Sequence, residues 1–131
     1  MEPTEQLAAA PQARTDVVTI SMNARVTMAA QIMHQNRVGC LVVVDDDGDL
    51  VGVVSERDIL TWVSAASPSS YSAQVADIMT TNVITCTTET SPEEAREIMV
   101  RHRIRHLPMV EGGKPVGMLS IRDLMCRHVE A

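Results

Sequence analysis

The chain has 131 residues, 45% of them hydrophobic, which suffices for one packed core and is too short for two unrelated domains. Its 11 basic and 17 acidic residues give a net charge of −6, which argues against a nucleic-acid backbone or an anionic membrane as partner. With no Phe, one Trp and one Tyr, the chain also lacks the aromatic residues that stack on nucleic-acid bases.

The cysteines and the N-terminus predict a soluble, cytoplasmic protein. Cys40, Cys86 and Cys126 form no CxxC pair, and their odd number argues against a disulfide framework. The first residues, MEPTEQLAAAPQAR, contain two Glu and too short an apolar run for a signal peptide. No window approaches the 18 apolar residues of a membrane span.

The first half predicts the element order β-α-β-β-α. The strand VVTI precedes a helix whose apolar residues Val26, Ala29 and Met33 recur at helical spacing. The continuous apolar run CLVVV predicts a buried strand. The Gly-containing turn DDDGD then reverses the chain into LVGVVS, and the helix ERDILTWVSAA closes the unit.

The second half repeats this order after the polar link SPSSYS and a short predicted helix, VADIMT. Its elements are the strand VITC, a helix with Thr90 or Ser91 as N-cap and Pro92 in its first turn, the hairpin strands LPMV and PVGMLS, and the helix IRDLMCRHVEA. A shift of 66 residues superimposes Val17 on Val83 and Leu41 on Leu107, so the gene segment is duplicated. We predict an α/β (α+β) fold of two repeats, residues 10–66 and 75–131, packed face to face about a pseudo-twofold axis.

One polar signature closes each hairpin, as GVVSERDI and GMLSIRDL. Ser55 and Asp58 have the spacing of a capping box, which satisfies the free N–H groups at the start of a helix. An Asp in a first helical turn at the mouth of a cleft also accepts the hydroxyls of a ribose, as acids do in other nucleotide sites. The glycines that open the two signatures leave room for a ligand or mark a bulge. Both interpretations stay open for Ser55 and Asp58 and for their twins Ser120 and Asp123.

The repeats, the segment DIMT, the run RHLPMV and the two signatures together resemble the CBS domain. The whole chain from about residue 10 resembles one tandem pair, a Bateman module. This resemblance implies two clefts for adenosine-containing ligands, with AMP, ADP or ATP expected first and NAD or S-adenosylmethionine as alternatives. It also implies that the module forms a homodimer.

The resemblance and the repeat symmetry predict two unlike nucleotide sites. The run RHRIRH places cations before one buried strand, whereas QNRVGC in the first repeat keeps only one. The stronger predicted site has the ribose, base and phosphate ligands Ser55, Asp58, Val83, Ile84, Arg105, His106 and Arg122. The weaker predicted site has fewer cations and consists of Val17, Val18, Gly39, Arg57, Ser120 and Asp123.

The sequence offers weak metal signals and no catalytic motif. His102 and His106 have i, i+4 spacing, but the alignment places His106 beyond the helix end. In DDDGD, a calcium-loop register would place Val43 and Val54 at ligand positions, so we predict no metal. We therefore predict a non-enzymatic regulatory module that senses adenine nucleotides and acts on a protein partner. The alternative is a dimerisation or scaffold module that binds no ligand.

Overall fold

The computed structural model describes residues 17–65 and 72–122 and divides them into two compact units. The first unit is Val18–Val83, and the second holds residues 17 and 84–122. Asp123 of the weaker predicted site and most of the predicted last helix lie outside the described residues. Within the described residues, no helix combines the length and the apolar character that crossing a membrane requires.

The first unit has the predicted order of elements, followed by a short helix. These are β1 (Thr19–Ser21), α1 (Val26–Asn36), β2 (Cys40–Val44), β3 (Leu50–Ser55), α2 (Glu56–Ala65) and α3 (Val75–Ile78). In the sheet, β2 lies between β1, to which it is parallel, and β3, to which it is antiparallel. The predicted order of elements in this half is confirmed, although β1 begins only at Thr19 and the short helix predicted as part of the second repeat packs in the first unit.

The core of the first unit explains why these segments take these forms. Four of the five residues of β2 are buried, as the continuous run CLVVV predicted. The apolar face of α1 packs on this sheet through Ala29 and Met33. Val75 of α3 is fully buried in the same cluster, and its N–H donates to the Ala24 carbonyl at 2.8 Å. The segment after residue 72 is therefore an integral part of the first unit.

The second unit contains α4 (Pro92–His102), β4 (His106–Glu111) and β5 (Lys114–Ser120), with β4 antiparallel to β5. Helix α4 begins as predicted. Ser91 is its N-cap and forms a capping box with Glu94, and Pro92 is in the first turn. Residues 121 and 122 begin the predicted closing helix.

The predicted strand VITC is wrong, because it is reduced to a single bridge between Cys86 and Met109. In the first repeat, the Val42 N–H donates to the Val18 carbonyl at 3.1 Å and continues the parallel ladder. The residue that matches Val42 is Pro108, which has no N–H to donate to Ile84. One proline thus removes the hydrogen bond that would extend the strand.

Each hairpin contains a β-bulge at the glycine of its signature. The register shifts between Val43 and Val44, where Val43 pairs with Gly52. It shifts again between Met109 and Val110, where Met109 pairs with Gly117. A bulge is therefore a sufficient reason for a glycine at both places.

Candidate functional site

The carboxylate of Asp58 caps the start of α2 together with Ser55. The backbone N–H of Ser55 donates to Asp58 Oδ2 at 2.9 Å, and the Ser55 hydroxyl donates to the same oxygen at 3.1 Å. In return, the Asp58 N–H donates to Ser55 Oγ at 3.3 Å. The capping-box prediction is confirmed. Because the cap engages Oδ2, it holds the carboxylate while Oδ1 remains for another donor.

Thr80 provides that donor. Its hydroxyl lies 3.5 Å from Asp58 Oδ1. Its backbone pairs with Val53, with N···O distances of 3.0 and 2.8 Å. Gly52 allows this approach, because a Cβ there would lie 2.8 Å from the Thr80 carbonyl oxygen and 2.8 Å from Met79 Sδ. The glycine of the first signature thus makes room for the chain itself.

An open groove lies beside Asp58 within the first unit. It has a volume of about 390 Å³, which is within the range of small-molecule sites. Helix α2 lines it with Arg57, Asp58 and Trp62, and α3 lines it with Asp77 and Ile78. The indole N–H of Trp62 is buried without an acceptor among the described residues, which is costly unless a ligand or water accepts from it.

The second unit gathers predicted phosphate ligands at one end of its hairpin. His106 and Ser120 are partners across β4 and β5, so their side chains share one face. The Arg105 carbonyl accepts a 2.9 Å hydrogen bond from the N–H of Ile121, which precedes Arg122. The Arg105 side chain is exposed and has no partner among residues 17–65 and 72–122.

The equivalent place in the first unit carries the opposite charge. The Glu56 N–H donates to the Gly39 carbonyl at 2.9 Å, just as Ile121 does to Arg105. The Glu56 side chain folds over Gly39, where a built Cβ would lie 3.2 Å from Glu56 Cδ. The first repeat therefore has Gly and Glu where the second has Arg and Ile. Because it has a carboxylate and lacks the guanidinium, the first repeat disfavours an anion at this place.

The sequence comparison finds one family in both halves of the chain. The family model of the CBS domain matches residues 12–65 and residues 75–129. The chain belongs to the CBS domain family. The expected family and the expected α/β fold of two CBS repeats are confirmed, and the repeated signature is part of both matched regions.

Relatives and solved structures agree with this assignment. The meiotically up-regulated gene 70 protein of Schizosaccharomyces pombe is 39% identical over 100 residues, which cover 76% of this chain and 14% of that protein. The CBS-domain containing protein ATU1752 from Agrobacterium tumefaciens is 31% identical with a TM-score of 0.82, covering 96% of this chain and 92% of its own. CBSX2, solved in complex with AMP, is 25% identical with a TM-score of 0.80, covering 95% and 96%.

The predicted site residues divide between the two CBS units. Of the stronger site, Ser55, Asp58 and Val83 lie in the first unit, and the other four lie in the second. Of the weaker site, the first unit holds Val18, Gly39 and Arg57, and the second holds Val17 and Ser120. Both ligand sets stay predictions. Thr80 and Glu56 were not predicted, because each acts through a contact that no motif spacing reveals.

Cys40 is buried beneath the first CBS signature. Burial, and secondarily the negative charge of Asp58, raise the pKa of the Cys40 thiol to about 12. Burial alone raises the pKa of Cys86 to about 11. Both thiols are free and lie in the core, so neither is a reactive nucleophile at neutral pH.

The acidic hairpin turn of the first CBS unit is explained by its own hydrogen bonds. Carboxylate oxygens of Asp45, Asp47 and Asp49 lie within 4.8 Å of one another, a spacing that a cation could bridge. Asp45 Oδ1 already accepts the N–H groups of Asp47 at 2.9 Å and Asp49 at 3.0 Å. These bonds are those of a tight Asx-type turn and explain the acid at position 45.

Proposed function

We propose that this CBS pair is a non-enzymatic regulatory module that binds an adenosine-containing nucleotide through Asp58. The observation that carries the proposal is the state of the Asp58 carboxylate. Oδ2 is fixed by two hydrogen bonds from Ser55, and the side chain borders a groove of about 390 Å³. A preorganised carboxylate beside open space is suited to accept the hydroxyls of a ribose.

The cations of the second repeat support an anionic ligand. Arg105 and Arg122 are exposed, His106 lies at the start of β4, and all three belong to one end of that unit. A charge-assisted hydrogen bond to phosphate contributes about 1.5 to 3 kcal/mol. AMP, ADP and ATP are therefore the first candidates, and the AMP complex of CBSX2 supports the same choice.

We infer that ligand binding acts on a protein partner by shifting the conformational equilibrium of the pair. A ligand can do so only by the difference between its affinities for two states. Thr80 lies in the segment that follows α3, and its hydroxyl contacts Asp58. A ligand bound at Asp58 would therefore affect the position of that segment through this contact.

A thermal-shift panel tests the proposal. AMP, ADP, ATP, NAD and S-adenosylmethionine are each added to wild type, to Asp58→Asn and to Glu94→Gln. Glu94 is the matched control, because it is also a capping-box acid and is no predicted ligand. At about 100 times its dissociation constant a ligand adds about 2.7 kcal/mol, or roughly 8 °C for a chain of this size. We expect at least one compound to raise the melting temperature of wild type and of Glu94→Gln by this amount and not to raise that of Asp58→Asn. The proposal is refuted if no compound at millimolar concentration changes the melting temperature of wild type.

A homodimerisation role is the second candidate, and exposed apolar side chains favour it. Leu60 and Val63 on α2 are 69% and 56% exposed, and Met28 on α1 is 48% exposed. Apolar side chains at such positions are buried when a partner covers the surface. Light scattering should report a dimer that Leu60→Glu converts to monomer, whereas Thr61→Glu, one residue along the helix, should have a smaller effect. A monomeric wild type would rule this role out.

A further inference from the structure

We propose that Thr80 is a positioning residue for the ribose-binding carboxylate of Asp58. This inference deepens the proposed function and rests on it. Thr80 lies 22 residues away in sequence, yet its hydroxyl is placed 3.5 Å from Asp58 Oδ1. It would fix the orientation of the carboxylate without itself being a phosphate or base ligand.

The backbone holds the Thr80 hydroxyl in place independently of Asp58. Two backbone hydrogen bonds to Val53 anchor Thr80 to β3. The absence of a side chain at Gly52 allows Thr80 to lie this close. Behind it, the Met79 N–H donates to the Val75 carbonyl at 2.9 Å, and Val75 is fully buried. The backbone that carries the hydroxyl is thus anchored to the core of the first unit.

Two separate donors orient the two carboxylate oxygens. Ser55 engages Oδ2, and Thr80 donates to Oδ1, which keeps acceptor capacity for a ribose hydroxyl. At 3.5 Å the Thr80 bond is long for a hydroxyl donor, so its contribution is at the weak end of the range. Without Thr80, one oxygen would be held and the other would be oriented by solvent alone.

The repeat supplies a contrast. The residue that matches Thr80 at a shift of 66 is Arg14, which has no hydroxyl. In sequence, the hydroxyl at this place therefore belongs to only one of the two repeats.

The test compares a ligand that has the ribose diol with one that lacks it. Affinities of AMP and of 2′,3′-dideoxy-AMP are measured for wild type, Thr80→Val and Thr80→Ser. A hydroxyl-to-carboxylate hydrogen bond of ordinary length contributes about 1.5 to 3 kcal/mol, and at 3.5 Å we expect about 0.5 to 1.5 kcal/mol, so Thr80→Val should weaken AMP by roughly 3- to 10-fold. It should leave the dideoxy compound unchanged, and Thr80→Ser should restore AMP binding. Equal loss for both ligands, or no loss for AMP, overturns the inference.

A ligand-free measurement separates this inference from the proposed function. Melting temperatures of Asp58→Asn, Thr80→Val and the double variant form a double-mutant cycle. Non-additive shifts show that the hydroxyl and the carboxylate interact, and additive shifts overturn the contact whatever the ligand result. Wild type that binds no adenosine compound but shows a non-additive cycle would refute the proposed function and the ribose role, leaving Thr80 as a partner of the capping carboxylate.

Discussion

Gly52 and Thr80 approach so closely that a Cβ built on the glycine would lie 2.8 Å from the Thr80 carbonyl oxygen. The same pair of segments forms the backbone bridge between Val53 and Thr80. The contact explains how a residue far along the chain reaches Asp58. Of the two explanations that the sequence left open for Gly52, room for a ligand or a bulge, the structure shows the bulge and adds a close approach of the backbone.

Gly52→Ala should therefore destabilise the protein. The new methyl group would meet a backbone oxygen that is fixed by β-pairing, and such overpacking costs about 1 to 3 kcal/mol, or roughly 3 to 10 °C in melting temperature. Gly39→Ala is the control, because its Cβ would meet the mobile end of the Glu56 side chain, which can move aside. Equal melting temperatures for the two variants would contradict the close approach at Gly52.

Replacing Arg37 or Arg103 by glycine should stabilise the protein. Each is the residue just after a helix, and its own backbone is in the left-handed region, with φ of 54° for Arg37 and 55° for Arg103. The lost strain exceeds the added entropy of the unfolded chain, so we expect a net gain of about 0.5 to 1 kcal/mol. The control Arg101→Gly lies in the last turn of α4 and should instead lose stability, by up to about 1 kcal/mol. Urea unfolding measures all three, and a loss at Arg103 as large as at Arg101 would refute the strain argument.

Arg105→Gln should weaken AMP much more than adenosine. Removing one charge-assisted contact to phosphate reduces affinity by roughly 10- to 100-fold, while the nucleoside, which has no phosphate, should bind as before. Arg101→Gln removes an equally exposed charge from α4, which is not a predicted ligand, and serves as the control. Calorimetric titration gives the four affinities. Parallel changes for AMP and adenosine would show that Arg105 does not contact phosphate.

Stability should fall as the pH rises above about 9, because the two buried thiols keep their protons only in the folded state. Their pKa values are raised from 9.0 to about 12 for Cys40 and about 11 for Cys86, so the unfolded chain binds fewer protons between pH 9 and 11. In this pH range each thiol lowers the free energy of unfolding by up to about 1.4 kcal/mol per pH unit. Urea unfolding of wild type and of a Cys40→Ala, Cys86→Ala double variant at pH 7.5, 9 and 10 tests this; equal slopes would contradict it.

The elements of the fold could be predicted because the sequence pattern of each one occurs in both repeats. Periodicity located α1 and α4, and the continuous run CLVVV located β2. The strand at VITC was the exception, because its existence depends on whether a distant residue can donate an N–H. Pro108 was visible in the sequence, but its effect on Ile84 follows only from the register of the parallel pair.

The candidate site was only partly predictable. The capping box of Ser55 and Asp58 depends on local spacing, and the structure has it as expected. Thr80 and Glu56 depend on where a backbone or a flexible side chain packs, and no local pattern encodes that. The difference between DIMT and PQAR at matching places of the two repeats marked the segment as unusual but did not indicate a contact with Asp58.

The most direct test of adenosine-ligand binding through Asp58 is an AMP titration followed by heteronuclear amide NMR. We predict saturable shifts at the amides of Ser55 and Asp58 and at those of Arg105 and His106, with the first pair unshifted in Asp58→Asn. The account is contradicted if millimolar AMP moves none of these amides, or if the shifts saturate equally in wild type and Asp58→Asn.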